Sequence, residues 1–519
     1  MAMNISARRA IFAFLLLAMA TIKGSSDPAE FPTGVCARTP HAADCLSLVL
    51  SLCVTPCTLT QLRRETIRAA REGMAGSTNW VLSSLGLRAN SDSKRAFGGS
   101  ALSDCFHLYE DGEYRLRQLQ SPHRRDDART WLSAALTSHR TCWDGLRSSS
   151  FPAPQTAHNL TVSLSVALAL YALQANETDE LQGPEQVADM SGLLMSWNAS
   201  AMEADYVVAK DGSGNYKTIK EAVAAVARRA RNRAERVVIY VKSGVYAENV
   251  EIRRGVKNVM LVGDGIDKTV ITGNRNVPDG STTYGSATFG VSGDGFWARD
   301  ITFENTAGRK KHQAVALRVG SDRSAFYRCS FRAYQGTLFL HSQRQFFRDC
   351  DVYGTVDFIF GNSAAVLQNC NLYLRRPIGH EFNMITAQGR EDPNENTGIS
   401  IHSSRVAPSM DFRGAKAPFK GYLGRPWKQY SRTVFMKTDL DGLIHPKGWT
   451  EWDGDFALST LYYGEYMNSG DGATTNKRVK WPGFHTLRDP SEAEKFTVRR
   501  FIQGDAWIPA TGVPFTPGL

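Results

Sequence analysis

The chain has 519 residues, 42% of them apolar and 22% charged, which excludes a disordered or fibrous polymer and leaves room for two or three domains with sizeable cores. Its net charge of +10 is unevenly placed: residues 1–202 hold 18 Lys+Arg and 18 Asp+Glu, so the whole excess lies beyond them. A basic surface suits an acidic partner, whether nucleic acid, an anionic membrane or an acidic polymer.

The first 26 residues set Arg8 and Arg9 before an apolar run from Ala10 to Ala20, followed by small and polar residues. This is the pattern of a secretory signal peptide, and the run is too short for a bilayer span, which needs about 20 apolar residues. Residues 1–26 are expected to be removed, leaving a secreted protein with no membrane contact. Export turns the basic surface toward an acidic extracellular polysaccharide rather than nucleic acid, for which no RNP, zinc-finger or helix-turn-helix signature appears.

Residues 27–174 place apolar side chains at helical spacing, as in "DCFHLYEDGEYRLRQL", "ARTWLSAALTSHRTCWDGL" and "NLTVSLSVALALYAL". They predict an all-α bundle. Nine cysteines in an oxidising compartment favour disulfides, and the odd count leaves at least one unpaired. Cys36 and Cys45 bracket a Thr-Pro turn, and Cys105 and Cys142 fall on two separate predicted helices. Cys53 and Cys57 have no matching His or Cys pair nearby, so no metal site is expected. Residues 175–202 are polar and Gly-containing and read as an exposed linker. Glycosylation sequons begin at Asn159, Asn176 and Asn198.

From 203 to 519 the period changes to short apolar or alternating runs broken by Gly, Asn and Asp, predicting many short strands. An internal repeat runs through "WARDITF" from Trp297, "FYRCSF" from Phe326, "FRDCDVY" from Phe347 and "LQNCNLY" from Leu367. A period near 20 with strand character predicts stacked coils, and the all-β solution is a parallel β-helix. Cys329, Cys350 and Cys370 then form an inward column, either as buried thiols or as one disulfide, Cys350 with Cys370, plus a spare. Stacking also gathers Gln313, Gln335 and Asp357, each 22 residues from the next, with Gly336 lying 21 before Asp357. By spacing alone this column reads as an amide ladder ending in a solvated carboxylate.

At these residues the chain resembles plant pectinesterases (pectin methylesterases). The likeness is carried by "GVYAENV" (Gly244 to Val250), "QAVALR" (Gln313 to Arg318), "YQGTLFLHSQRQFFRDC", "GTVDFIFGN" (Gly354 to Asn362) and "LGRPWK" (Leu423 to Lys428), five ordered motifs over some 180 residues. The helical part is similar to the pectinesterase-inhibitor domain that precedes many such enzymes. The resemblance implies a four-helix bundle followed by a right-handed parallel β-helix, a secreted cell-wall monomer, and disulfides Cys36–Cys45 and Cys105–Cys142, with Cys53 and Cys57 extra. It implies hydrolysis of the methyl esters of homogalacturonan to carboxylate and methanol without a cofactor. Asp357 takes the role of nucleophile, Arg425 orients it, Gln313 and Gln335 donate to the oxyanion, and Trp427 walls the sugar site.

The family's general acid, an Asp, follows the second Gln. Here that position is Gly336. His341 and Asp349 are the nearby groups that could substitute, although no spacing sets either on the column. A second departure lies in "MSGLLMSW", where relatives carry paired arginines before the leucines as a processing motif; uncut, the bundle could stay against the cleft as an intramolecular inhibitor. The rival expectation is a catalytically inactive pectin-binding or inhibitor-type wall protein. A polygalacturonase or pectate lyase lacks its Gly-His-Gly or calcium-site pattern here, and no G-x-S-x-G elbow points to a serine esterase.

Overall fold

A helical N-terminal region is followed by a large domain of parallel strands. The computed structural model describes residues 31–53, 57–89, 101–148, 155–173, 192–200, 202–229, 235–378, 382–412 and 420–519. The expected signal peptide and Asn176 lie outside these residues. Among the described residues no helix is long and apolar enough to cross a membrane.

The helices are α1 (Phe31–Cys36), α2 (Ala42–Leu52), α3 (Leu59–Ala89), α4 (Ala101–Gln118), α5 (Arg125–Ser148) and α6 (Gln155–Ala172). Asp104 opens α4 and Arg115 and Arg117 close it, while Asp126 and Asp127 open α5 and Arg147 closes it, so both complement the helix dipole. Leu102, Leu108, Tyr109 and Leu116 of α4 meet Leu132, Ala135 and Leu136 of α5 in a shared core. Disulfides join Cys36 to Cys45, Cys105 to Cys142, and also Cys53 to Cys57, whose pairing the spacing had left open.

The strands form three sheets of 11, 7 and 8 members, with parallel pairing between neighbours. Six successive coils turn one corner through a left-handed residue: Asp300 (φ 59°), Arg328 (49°), Asp349 (53°), Asn369 (55°), Ser403 (48°) and Lys437 (49°). Asp and Asn tolerate that conformation best, and the rest are held there by the coil. The next residue turns inward, giving a buried column of Ile301, Cys329, Cys350 and Cys370. This corrects the first repeat by one position: Ala298, not Trp297, pairs with Phe326, so Ile301 rather than Asp300 heads the column. Phe326 stacks on Phe347 at 4.7 Å in the core behind it. Each such fully buried ring contributes about 1.5–3 kcal/mol.

The three column cysteines are free and buried, which corrects the candidate pairing of Cys350 with Cys370. In-register strands project equivalent side chains in parallel rather than toward each other, a poor geometry for an S–S bond. The thiols turn instead to carbonyls, Cys350 Sγ to Arg348 O at 3.3 Å and Cys370 Sγ to Gln368 O at 3.5 Å.

The seven-stranded sheet carries an outward column of Glu251, Gly290, Arg318, Phe339, Phe360 and Ala387. Arg318 Nη2 donates to both oxygens of Glu251, at 2.6 and 2.8 Å, across Gly290, where a Cβ would crowd Glu251 Oε2. Phe339 and Phe360 stack at 4.3 Å. The helical region lies on this face: Phe339, Phe360, Val315 and Ala387 share its core. Arg115 grips Asp294 at 2.6 and 2.7 Å, Arg344 lies 2.7 Å from both Asp127 and Asp322, and Arg140 meets Glu391 at 3.1 Å.

A short helix, α7 (Leu193–Ser196), straps the start of the strand domain to its own flank, so the end of the stretch expected to be an exposed linker is in fact packed on the coil. Leu194 and Trp197 are buried against the eleven-stranded sheet, and Arg299 donates to the carbonyls of Leu194 (2.9 Å) and Met195 (2.7 Å).

Candidate active site

The spacing argument gathered Gln313, Gln335, Gly336 and Asp357, and the structure brings all four onto the wall of one cavity of about 730 Å³. Gln313 pairs with Gln335 in an isolated parallel bridge at the entry to adjacent strands. Gly336 donates its N–H to Val356 O at 3.1 Å and lies in register with Asp357, two residues before the paired Leu338 and Ile359. Two amides thus stand beside one carboxylate, each supplied by the turn that precedes a strand of the outward face.

Arg425 arrives from a later coil, its N–H fixed on Thr386 O at 3.0 Å. Its Nε and Nη2 reach Asp357 Oδ1 and Oδ2 at 2.9 and 2.7 Å, a bidentate grip that leaves the carboxylate one orientation. Burial raises the Asp357 carboxyl above its ordinary value, and the hydrogen bonds and charge of Arg425 pull the other way. Asp357 itself has a left-handed backbone (φ 48°), a strained setting for a residue outside a glycine turn.

Trp427 stands edge-on to Phe360 at 5.9 Å, made possible by Gly389, whose Cβ would meet the indole at 2.7 Å. Sequence reasoning missed four further aromatic walls, Tyr284, Phe339, Phe360 and Trp452. Trp452 covers the Arg425 guanidinium at 4.4 Å, and its only sequence signal was a Trp in the polar loop "TEWDGDF".

Neither proposed substitute for the missing acid lines this cavity. Asp349 turns to Asn369 (2.6 Å) and Arg348 (3.0 Å). His341 shares a hydrogen bond with Thr141 of α5 at 3.0 Å, and burial lowers its pKa to about 3, so at neutral pH it is the neutral imidazole and not the imidazolium that could act as the acid. Among the described residues, the cavity's other carboxylates are Asp104 and Asp144, both from the helical region. Asp104 is bonded by Thr282 and Asp144 by Lys428 at 2.9 Å.

A Pectinesterase family profile matches residues 205–505, and a Plant invertase/pectin methylesterase inhibitor profile matches residues 30–170. The chain is 56% identical to a probable pectinesterase/pectinesterase inhibitor 36 of Arabidopsis thaliana, over 80% of this chain and 87% of that one. It is 51% identical to pectinesterase 2 of Citrus sinensis, covering 84% of each. Among solved structures, a pectin methylesterase from carrot superposes with a TM-score of 0.60 at 55% identity, covering 62% of this chain and all of that one.

Proposed function

Because the chain belongs to the pectinesterase family, with an inhibitor-like N-terminal domain ahead of a carboxylic ester hydrolase, we propose that it removes methyl esters from homogalacturonan in the cell wall, with Asp357 as nucleophile. The observation that carries this reading is the Arg425–Asp357 fork facing the cavity beside the two amides of Gln313 and Gln335. An Asp357 oxygen adds to the ester carbonyl, and the amide N–H groups donate to the oxygen as it gains charge, usually the greatest single source of rate enhancement in acyl transfer. The C–O bond to methoxide then breaks, leaving an acyl anhydride on Asp357, which water opens to free carboxylate. Trp427, Phe339 and Phe360 offer faces to the sugar rings.

Methoxide needs a proton as it leaves, and Gly336 has none to give. A positioned acid is typically worth about 10²–10⁴-fold, so we read the chain as an esterase slowed at this step, with solvent delivering the proton. We further read residues 1–26 as a signal peptide, 27–174 as a four-helix inhibitor domain, 175–202 as a linker and 203–519 as a right-handed β-helix acting as a monomer. The exposed positions of Asn159 and Asn198 support glycosylation on export. The helical domain lying over the cavity supports intramolecular inhibition in the uncut chain.

One observation favours a second reading, a pectin-binding wall protein without catalysis: among the described residues Asp357 is the one carboxylate that the strand domain contributes to the cavity. Methanol release from highly methylated pectin, measured on the chain cut in its linker, tests both. Release that disappears in Asp357→Ala supports the esterase; retained pectin binding with no release supports the binder.

A further inference from the structure

The cavity over Asp357 holds donors for a developing oxyanion, but the strand domain gives it no second carboxyl to hand a proton to methoxide. Among the described residues Asp357 is its one carboxylate from that domain, and Asp104 and Asp144 belong to the helical region. Lys428 and Tyr284 also line it, but an ammonium and a phenol are far weaker acids than a carboxyl, and burial weakens the Tyr284 hydroxyl further. Gly336 stands beside Asp357 on the neighbouring coil and leaves space where a side chain would project. A Cβ there would lie 3.4 Å from Phe360 Cε1, 3.8 Å from Phe360 Cζ and 4.0 Å from Gln313 Cα, van der Waals distances with nothing closer. The space therefore takes a methyl group on the edge of Phe360 and opens into the cavity of about 730 Å³. The same wall carries the amides of Gln313 and Gln335. Each amide has two N–H donors, and among the described residues neither side chain has a hydrogen-bond partner within the protein. An oxyanion that takes one N–H from each leaves the other two for a further oxygen.

We propose that the space beside Gly336 is a binding site for a small external carboxylic acid, of the size of formic or acetic acid, which supplies the proton that Gly336 cannot. This rests on the esterase reading. Acetic acid is an aspartate side chain with a hydrogen in place of its bond to the backbone. Its methyl can rest on Phe360 with its carboxyl toward the bond being cleaved, the carbonyl oxygen accepting from the spare amide N–H groups. As the C–O bond to methoxide breaks, the O–H proton of the bound acid passes to the methoxide oxygen, giving methanol and the acid's anion. The anion then takes a proton from water as the water oxygen bonds to the anhydride carbonyl. The bond to Asp357 breaks, leaving the sugar carboxyl, the Asp357 carboxylate and the external acid, which is thus regenerated at each turnover. The ionised Asp357, one strand spacing of about 4.8 Å away, disfavours a second negative charge on this wall, so the site selects the protonated acid over its anion.

The test measures initial rates of methanol release from highly methylated pectin by the full chain, cut at a protease site placed in the linker, with formate, acetate or pivalate added at one pH and one ionic strength. Asp357→Ala serves as the blank. Pivalate matches acetate in acidity, but its three methyl groups do not fit beside Phe360. Acetate is expected to raise the rate about tenfold or more, a part of the roughly 10²–10⁴-fold that a positioned acid gives, and pivalate to leave it unchanged. Gly336→Ala puts a methyl where that of acetate rests, so it is expected to lose the response to acetate and keep the response to formate. Its left-handed backbone puts this variant at risk of misfolding, so its melting temperature is read alongside, and should that fall, Gly336→Asp carries the comparison. Gly336→Asp brings its own acid and is expected to respond to neither. Acceleration by pivalate as great as by acetate is general buffer catalysis and overturns the proposal. So does a rate unmoved by formate and acetate, or an acetate response that persists in Gly336→Asp or in a folded Gly336→Ala. Release by Gly336→Asp with none by the parent, whatever is added, leaves the esterase standing and removes only this inference. No release by any of these chains under any condition, with pectin still bound, removes both.

Discussion

Gly336→Asp is expected to raise methanol release from highly methylated pectin by about 10²–10⁴-fold, or about 2.7–5.4 kcal/mol of barrier. The site can accept the side chain. A Cβ at Gly336 would lie 3.4 Å from Phe360 Cε1 and 3.8 Å from Cζ, ordinary contact distances on the cavity wall. The backbone there is left-handed (φ 72°), which costs most residues about 1–2 kcal/mol and Asp less, because its short polar side chain bonds locally. Losing a glycine also removes freedom from the unfolded chain, worth about 0.4–1 kcal/mol in the other direction. Stability should therefore change by about 1 kcal/mol or less. The new carboxyl would sit one strand spacing from Asp357, and two neighbouring carboxyls cannot both ionise easily, so it would keep the proton that methoxide needs. The assay compares parent, Gly336→Asp and Gly336→Asn, all cut in the linker, with Asp357→Ala as the blank. A folded Gly336→Asp protein no faster than the parent, while Asp357→Ala still abolishes release, would refute the reasoning. Equal gains for Asp and Asn would show that shape rather than proton supply was limiting.

Four further outcomes follow from the geometry. Arg425→Leu removes the group that offsets the burial of Asp357, so the acid limb of the pH–rate profile should move to higher pH, with about 3 kcal/mol or more of stability lost in thermal unfolding. Arg115→Ala breaks the fork onto Asp294 across the two domains and should weaken the cover by about 2–5 kcal/mol, seen as faster hydrogen exchange in α4 of the uncut chain. Burial raises Asp104 and Asp111 to about 6, with Arg115, Arg254, Arg275, Arg318 and Glu251 facing them. Seating therefore favours their protonated forms: it is strongest below pH 4 and should weaken as pH rises through 6, measurable as the affinity of the cut helical domain for its partner. Gly290→Ala forces a methyl into the Arg318–Glu251 pair and should cost about 1–3 kcal/mol by denaturant unfolding.

The coil period was legible because stacking repeats one apolar requirement every 20 or so residues, and the same period aligned Gln313, Gln335 and Asp357. The slip at Trp297 was not, because the corner it depends on accepts Asp, Arg, Asn, Ser or Lys, and no single residue type marks it. Spacing could not pair Arg425 with Asp357, 68 residues apart and on different coils, and only the family resemblance joined them. Nor could it seat the helical region on the groove: Arg115 and Asp294 are 179 residues apart, and each alone reads as a solvated surface charge. Cys53 and Cys57 show the converse, since a spacing with no obvious use turned out to close a small loop between α2 and α3.

The strap at α7 sets where the two halves of this chain can part. Leu194 and Trp197 are plugged into the flank of the coil, their carbonyls held by Arg299, and Gly192 is bonded to Ala510 near the far end of the chain. A protease must pull its target out as an extended strand, and doing so here would unseat both plugs. A cut upstream of Gly192 would instead keep a built-in clasp that joins the start of the strand domain to residues near its end, leaving the coil that carries Asp357 closed.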